Sequence, residues 1–208
     1  MSHPSSPVEE QLRAWPVSLE SPGLQPPRFD AADVAYALTD TVVGRILLAR
    51  NDSGALIASR YVADAAAEDA FLDRLSRTVS PRVLRQPSAL DEARRRLDDV
   101  LAGRRHAFDL PTDLVLATAF QRAVLTTLGR TVGWGERTSY GELAGRMGRP
   151  SAARAVGSAL GANPLCVVLP CHRVVGANGA LTGYAGGPAA KRYLLDLERA
   201  GDGRVTAR

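Results

Sequence analysis

The stretch SYGELAGRMGRPSAARAVGSALGANP, residues 139–164, contains the signals that begin and end two short helices. Ser139 followed three residues later by Glu142 forms a capping box, in which each residue satisfies an unpaired backbone N–H group of the other. This pattern predicts a first helix from Tyr140 to about Met147.

The second helix follows after a short interruption. Glycine and proline in Gly148–Pro150 break the helical pattern, and Ser151 is a candidate cap for a new helix. Gly161 and Pro164 predict its end. Two short helices joined by a tight turn are typical of a helix-turn-helix, so this stretch predicts a DNA-binding type of fold.

The second helix carries one long polar side chain, Arg154, whereas a helix that reads bases in the major groove carries several. A smooth helix can approach a phosphate-lined groove closely, with one arginine entering the duplex. Alternatively, the small residues only allow two helices to pack closely. The small residues are Ser151, Ala152, Ala153, Ala155, Gly157, Ser158, Ala159 and Gly161.

Charge is distributed unevenly along the 208 residues, which carry a net charge of +4. Residues 119–208 hold 12 Lys+Arg against 5 Asp+Glu, whereas residues 1–118 hold 14 against 17. The basic half is a candidate binder of a polyanion, although ordinary surface charge is the alternative explanation.

The compartment can be predicted from segments that the sequence lacks. No run reaches about 18 apolar residues, and the first thirty residues contain no apolar core of a secretory signal. We therefore expect a cytoplasmic protein in which both cysteines, Cys166 and Cys171, are free thiols.

Four segments are predicted along the chain. Residues 1–28 are rich in proline and predict a disordered tail, and residues 201–208 form a second tail. Residues 29–112 alternate strand and helix patterns and predict a small α/β domain in which no residue set suggests chemistry, whereas residues 113–200 are mostly helical. The predicted strands are 34–39, 41–50 and 55–62, and the predicted helices are 64–79, 91–102 and one that starts after Thr118 and ends near Gly129.

The segment LPCHRVVG, residues 169–176, places Cys171 next to His172. Residues 166–169 predict a short buried strand, which Pro170 should end because proline cannot donate to a strand ladder. In a turn, backbone N–H groups and an imidazole can stabilise a thiolate. Cys171 is therefore either a nucleophile or a small buried residue at the end of a strand.

The last helix of the chain is predicted from Pro188 to a stop at Gly201. Its buried stripe at helical spacing includes a lysine and a carboxylate, which need partners. The stripe consists of Lys191, Leu194, Leu195 and Glu198.

Glu198 has two kinds of candidate partner. His172 would give a nucleophile, base and orienting carboxylate in the order Cys171, His172 and Glu198. A surface arginine of the same helix, Arg192 or Arg199, is the alternative, and spacing does not decide between them.

Four motifs together resemble the O6-alkylguanine-DNA alkyltransferases, with their order and spacing kept. The resemblance implies an α+β protein. A small amino-terminal α/β domain of the ribonuclease-H-like type would precede a mostly helical, winged helix-turn-helix-like alkyltransferase domain. The motifs are SYGELA, SAARAVGSALGANP, LPCHRVVG and LTGYAGG.

The resemblance implies DNA repair by direct reversal. Such a protein flips O6-alkylguanine out of duplex DNA and transfers the alkyl group to a cysteine, here Cys171, irreversibly and once per molecule. It needs no cofactor and no metal. It binds double-stranded DNA with little sequence preference as a monomer, and assembly of several molecules along the DNA remains open.

The resemblance also implies a role for individual residues of the catalytic step. His172 would pass the thiol proton of Cys171 through a water, and Glu198 would polarise His172. Tyr140 would protonate the leaving guanine with help from Lys191.

Further roles concern DNA and the base. Arg154 would fill the gap left by the flipped base, and Asn163 would be the hinge between the recognition helix and the active site. Small residues of the recognition helix would contact the DNA backbone, and backbone groups of three residues would hold the base. The first set is Ser151, Ala152, Ala153 and Gly157, and the second is Val174, Tyr184 and Ala185.

The sequence departs from the family pattern at two points. Ala185 stands where some members have a hydroxyl residue, so it can offer only its backbone N–H group to the lesion oxygen. No cysteine precedes Cys166, so the amino-terminal zinc site of some members is not supported. Trp134 has no interpretation at this level.

Three other functions are compatible with parts of the pattern. A helix-turn-helix regulator would prefer one DNA sequence, and a cysteine hydrolase would convert many substrate molecules in repeated turnovers. A lesion-binding protein of the same fold would lack the acceptor cysteine.

Overall fold

A computed structural model of the protein describes residues 33–201. The predicted tail 1–28 lies outside the described residues, as do residues 202–208. No helix within residues 33–201 is long and apolar enough to cross a bilayer.

The first part of the described chain is built on a four-stranded sheet with the strand order β3-β2-β1-β4. The meander β1-β2-β3 is antiparallel, as predicted, and β4 pairs in parallel with β1. The strand β4 was not predicted from the sequence, since it has three residues and no clear alternation. The strands are β1 (Val34–Thr41), β2 (Gly44–Asn51), β3 (Leu56–Tyr61) and β4 (Val83–Arg85).

Two helices cover the two faces of this sheet. The helices are α1 (Ala65–Thr78) and α2 (Asp91–Leu101). Successive side chains of a strand point to opposite faces, so Leu47 of β2 shares a core with Phe71 of α1. Its neighbour Leu48 shares the other core with Leu97 of α2. Both helices lie within two residues of their predicted bounds.

The second part is mostly helical, as predicted. Thr118 and Gln121 form a capping box at the start of α3, and the predicted box of Ser139 and Glu142 starts α4. Two short parallel strands lie beside the helices. The elements are α3 (Ala119–Thr131), β5 (Thr138–Ser139), α4 (Tyr140–Arg146), α5 (Ala153–Gly161), β6 (Val174–Val175) and α6 (Gly187–Gly201).

The prediction that Ser151 caps the second helix is wrong. Ser151 lies inside a 3₁₀ turn, Pro150–Ala152, and the residue that precedes α5 is Ala152, which makes no side-chain cap. The turn is closed by the backbone, because the N–H group of Ala152 donates to the Arg149 carbonyl at 2.9 Å. The helix therefore begins one residue later than a serine cap would place it.

The predicted strand at residues 166–169 is also wrong. This segment is a tight turn in which the Leu169 N–H group donates to the Leu165 carbonyl at 2.7 Å and Val167 has a φ of 70°. Valine and leucine favour a strand locally, but partners elsewhere in the fold take the hydrogen bonds of the first residues of the segment.

Those partners lie in strand β3 of the first sheet. Cys166 donates its N–H group to the Ser59 carbonyl at 2.7 Å, and the Ser59 hydroxyl donates to the Cys166 carbonyl at 2.8 Å. The Ser59 N–H group donates to the Pro164 carbonyl at 2.8 Å. The first sheet thus holds the chain immediately before the candidate acceptor cysteine.

The helix α3 ends at Thr131, two residues beyond the predicted end near Gly129. Gly129 lies beside the turn before Cys171, since a Cβ atom at this glycine would lie 3.6 Å from the Leu169 side chain.

Candidate active site

Cys171 begins a buried 3₁₀ turn, Cys171–Arg173, that follows Pro170. Its side chain lies among the apolar residues of the helical part, with 7% of the residue exposed. Cys171 and His172 therefore lie in one turn, and the Cys171 N–H group donates to the Leu169 carbonyl at 2.8 Å.

Asn163 connects the end of α5 to this turn. Its side-chain nitrogen Nδ2 lies 3.1 Å from the Cys171 sulfur and donates to the Leu169 carbonyl at 3.1 Å. Its side-chain oxygen accepts the Leu165 N–H group at 2.9 Å. All the polar atoms of this buried amide are satisfied, so Asn163 fixes the position of the sulfur relative to the helix.

The surroundings of Cys171 favour the thiolate. The interaction with the neighbouring Cys166 lowers the pKa of the Cys171 thiol, and the Asn163 amide and the Lys191 charge act in the same direction against burial. The pKa of Cys166 is raised well above its usual value, mainly by its interaction with Cys171 and by burial. Cys166 therefore stays protonated, and its thiol donates to the Asn163 carbonyl at 3.5 Å.

His172 and Glu198 form a buried pair, with His172 Nε2 lying 2.8 Å from Glu198 Oε1. Burial lowers the pKa of His172, although Glu198 opposes the shift. A neutral imidazole can accept a proton. Within residues 33–201, His172 Nδ1 is buried and makes no hydrogen bond to another protein atom.

Glu198 also binds an arginine, but it is neither Arg192 nor Arg199. Arg173 Nε lies 3.0 Å from each oxygen of Glu198, and its Nη2 lies 2.9 Å from Oε1. Burial opposes ionisation of Glu198, but hydrogen bonds from His172 and Arg173 outweigh it and lower the pKa of the carboxyl.

The loop after α3 completes the environment of Glu198. Arg173 donates through Nη1 to the Val132 carbonyl at 2.8 Å, and its guanidinium lies 5.8 Å from the centre of the Trp134 ring. The Gly135 N–H group donates to Glu198 at 3.3 Å. Trp134, which the sequence left without interpretation, therefore covers the arginine that holds the carboxylate.

Tyr140 and Lys191 meet at one carbonyl group. The Tyr140 hydroxyl donates to the Thr182 carbonyl at 3.1 Å, and Lys191 donates to the same carbonyl at 2.8 Å. Lys191 also donates to the Val174 carbonyl at 2.7 Å, and burial lowers its pKa. The ammonium group thus lies close to the phenol and ties the loop that contains Thr182 to β6.

The helix α5 packs through Val156, Ala159 and Leu160 and leaves its opposite face exposed. Arg154 is exposed on that face. Close helix packing therefore accounts for Ala159 but not for the exposed small residues. Of the predicted DNA-contacting residues, Ser151 is exposed and Ala152, Ala153 and Gly157 are partly buried.

A cavity of about 480 Å³ lies between α5 and the loop that precedes α6. Gly157, Thr182, Tyr184 and Ala185 are among the residues that line it. Val174 does not line this cavity, and both its backbone groups are bonded within the protein, the N–H group to the Cys171 carbonyl.

Sequence reasoning missed Arg173 and Cys166 as members of the site. Arg173 follows His172 directly, so its position was a signal. Cys166 was predicted only to be a free thiol, which the structure confirms.

Two family models together match most of the chain. Residues 34–114 match the ribonuclease-like domain of 6-O-methylguanine DNA methyltransferase, and residues 119–200 match the DNA-binding domain of the same family. The chain belongs to the 6-O-methylguanine DNA methyltransferase family.

Individual relatives of the 6-O-methylguanine DNA methyltransferase family agree with this assignment. A methylated-DNA–protein-cysteine methyltransferase of Mycolicibacterium paratuberculosis is 40% identical over 166 residues, which cover 80% of this chain and 93% of the relative. One of Mycobacterium bovis is 49% identical over 113 residues, covering 54% of this chain and 67% of the relative. A crystal structure of Mycobacterium tuberculosis OGT in complex with DNA matches with a TM-score of 0.68 and 38% identity, covering 80% of this chain and 94% of that one.

Replacement of Asn163 by alanine should raise the pKa of Cys171, because the thiolate loses a hydrogen-bond donor. A bond to a charged group contributes about 1.5–3 kcal/mol, so the midpoint for alkylation of the Cys171 peptide by iodoacetamide should move up by about one to two pH units. Asn178→Ala, which removes an exposed loop amide, is the control. Equal midpoints in wild type and Asn163→Ala would contradict this account of the thiolate.

Replacement of Arg173 by alanine should leave Glu198 buried without its strongest partner. The free energy of unfolding in urea should fall by about 3–5 kcal/mol, the usual cost of removing one member of a buried ion pair. Arg199→Ala, which removes an exposed arginine paired with Asp196, should change it little. A similar loss of unfolding free energy in both variants would show that the pair of Arg173 and Glu198 is not a main contributor to stability.

Proposed function

We propose that Cys171 accepts the alkyl group from O6-alkylguanine in duplex DNA, irreversibly and once per molecule. The chain is a methylated-DNA–protein-cysteine methyltransferase, which repairs alkylated DNA by direct reversal. The observation that carries the assignment to Cys171 is its position in one turn with the buried pair of His172 and Glu198, whose nitrogen and oxygen lie 2.8 Å apart.

The first step is the removal of a proton from the Cys171 thiol. A neutral His172 receives it at Nδ1 through a water, and Glu198 stabilises the charge that forms on the imidazole. The hydrogen bond from Asn163 to the sulfur stabilises the thiolate that remains. A soft, deprotonated sulfur is the type of nucleophile that attack on an alkyl carbon requires.

In the transfer step the sulfur lone pair forms a bond to the alkyl carbon as the bond from that carbon to O6 breaks. The electron pair moves into the guanine ring, which takes a proton from the Tyr140 phenol. Lys191 shares the Thr182 carbonyl with Tyr140, so its positive charge lies where it favours the phenolate that Tyr140 becomes. The product is a thioether at Cys171, and no step of the proposed mechanism breaks its new carbon–sulfur bond.

The base is held in the cavity between α5 and the loop before α6. Backbone groups of Tyr184 and Ala185 lie on that loop, and Asn163 links α5 to the acceptor turn. The Tyr140 ring lies next to Gly157 of the cavity lining, since a Cβ atom at Gly157 would lie 3.6 Å from the ring. A flipped guanine that enters the cavity therefore lies beside Tyr140.

The exposed face of α5 is the DNA-binding surface. Arg154 occupies the gap left by the flipped base, and the small residues around it allow close approach to the phosphates. Such contacts give little sequence preference. The protein acts as a monomer in the cytoplasm, with residues 29–112 and 113–200 as its two domains.

The direct test is the mass of the protein after incubation with duplex DNA that contains O6-methylguanine. The intact chain should gain one methyl group in place of a hydrogen atom, on the peptide that contains Cys171. Cys166→Ser, which keeps the acceptor, should gain it too, whereas Cys171→Ser should not. A methyl group on Cys166, or no gain in the wild type, would refute the proposal.

Replacement of Arg154 by alanine should slow repair of the duplex more than reaction with the free alkylated base. Flipping costs a few kcal/mol, so the loss in duplex should be roughly tenfold or more. Arg77→Ala, which removes an exposed arginine of α1, is the control for the loss of one positive charge. An equal effect on both substrates would remove Arg154 from the flipping step.

A further inference from the structure

We propose that Tyr61 is a positioning residue of the alkylguanine pocket, which fixes Tyr184 and the loop around it from the other domain. The inference rests on the proposed function, because it concerns the cavity assigned above to the flipped base. Tyr61 is the last residue of β3, whereas the site residues named so far belong to the helical part.

Two contacts join Tyr61 to Tyr184. Their hydroxyl oxygens lie 3.1 Å apart, and their rings pack edge to face with centres 5.6 Å apart and an angle of 73°. Burial raises the pKa of both phenols, so both hydroxyls stay protonated and one can donate to the other at neutral pH. The contact is therefore a hydrogen bond plus an aromatic pair.

The ring of Tyr61 also occupies the space beside Gly186. A Cβ atom at Gly186 would lie 2.6 Å from Cζ of Tyr61, closer than any side chain allows. The absence of a side chain at Gly186 is what lets the loop close onto the ring. Tyr61 thus contacts the loop at two points, Tyr184 and Gly186, which lie on either side of Ala185.

The loop held in this way faces both the cavity and the catalytic pair. Tyr184 lines the 480 Å³ cavity, and its ring packs edge to face on His172 with centres 6.2 Å apart. A shift of Tyr184 would move a wall of the pocket and a neighbour of the imidazole. Among the described residues that line the cavity Tyr61 does not appear, so it acts on the cavity through the loop.

The physical effect is preorganisation. A loop that is already ordered loses little conformational freedom when the base binds, so its anchor improves binding rather than the chemical step. Loss of the anchor should weaken capture of the base while the thiolate and His172 retain their properties. This separation distinguishes Tyr61 from the residues that move protons.

The test uses the full chain and free O6-benzylguanine as the probe, with the transfer rate measured against probe concentration and pH. Tyr61→Phe removes the hydroxyl and keeps the ring, so the half-saturating concentration should rise by about three- to tenfold at an unchanged maximal rate and pH midpoint. Tyr184→Phe breaks the same bond, so the double variant should lose little more. Tyr193→Phe, which removes a hydroxyl bound to the Leu101 carbonyl, is the matched control.

A second experiment tests the steric contact. Gly186→Ala should raise the half-saturating concentration by roughly tenfold or more in the wild type, because the new methyl group collides with the Tyr61 ring. In the Tyr61→Ala background the same substitution should raise it by less than about threefold, because the collision partner is gone.

The outcomes separate the two proposals. A wild-type protein that does not react with methylated duplex refutes the proposed function. If the wild type does react, three results would refute the role of Tyr61. The first is that Tyr61→Phe and Tyr193→Phe behave alike, and the second is that Tyr61→Phe lowers the maximal rate or moves the pH midpoint. The third is that Gly186→Ala raises the half-saturating concentration equally in both backgrounds. If Tyr61→Phe fails to fold, Tyr184→Phe decides the hydroxyl contact by the same measurements.

Discussion

The buried carboxylate of Glu198 is the constraint around which the catalytic turn is arranged. An ionised group out of water requires compensating partners, and this one has His172, Arg173 and the Gly135 N–H group. Two of these partners are consecutive residues that directly follow Cys171. The need to satisfy one carboxylate on α6 therefore fixes the orientation of the 3₁₀ turn that presents the sulfur.

The sulfur is fixed from its other side by polar atoms that begin at the end of α5. Asn163 uses its whole amide to bond the turn and Cys171, and the Cys166 thiol donates to the Asn163 carbonyl. The neighbouring Cys166, the Asn163 amide and the Lys191 charge each favour the ionised sulfur. Burial alone would do the opposite, so the thiolate depends on these specific donors rather than on the apolar surroundings.

The amino-terminal sheet is more than a separate domain attached to the helical part. Ser59 of β3 forms hydrogen bonds with the backbone of Pro164 and Cys166, which precede the turn that begins at Cys171. Tyr61 of the same strand contacts the loop that contains Tyr184. One strand thus contacts both the chain before Cys171 and the loop that contains Tyr184. The core on one face of the sheet also includes Leu165, Ala190 and Leu194 of the second part of the chain, so the sheet and the helical part share one packed core.

Local signals in the sequence determined many of the secondary-structure elements, whereas the roles of the proposed reacting groups came from the resemblance of four motifs to a family. Capping boxes, glycine and proline positions and side-chain periodicity depend on neighbours in the chain, so they predicted the meander, the helix-turn-helix and the buried stripe with Glu198. The tertiary structure decided what depends on distant partners. Ser59 turned a strand-like segment into a bend, Arg173 became the buried partner of Glu198, and Tyr61 reached the pocket from a domain whose own pattern suggested no chemistry. Contacts between residues far apart in the chain leave no local pattern, because each side chain alone is compatible with several environments.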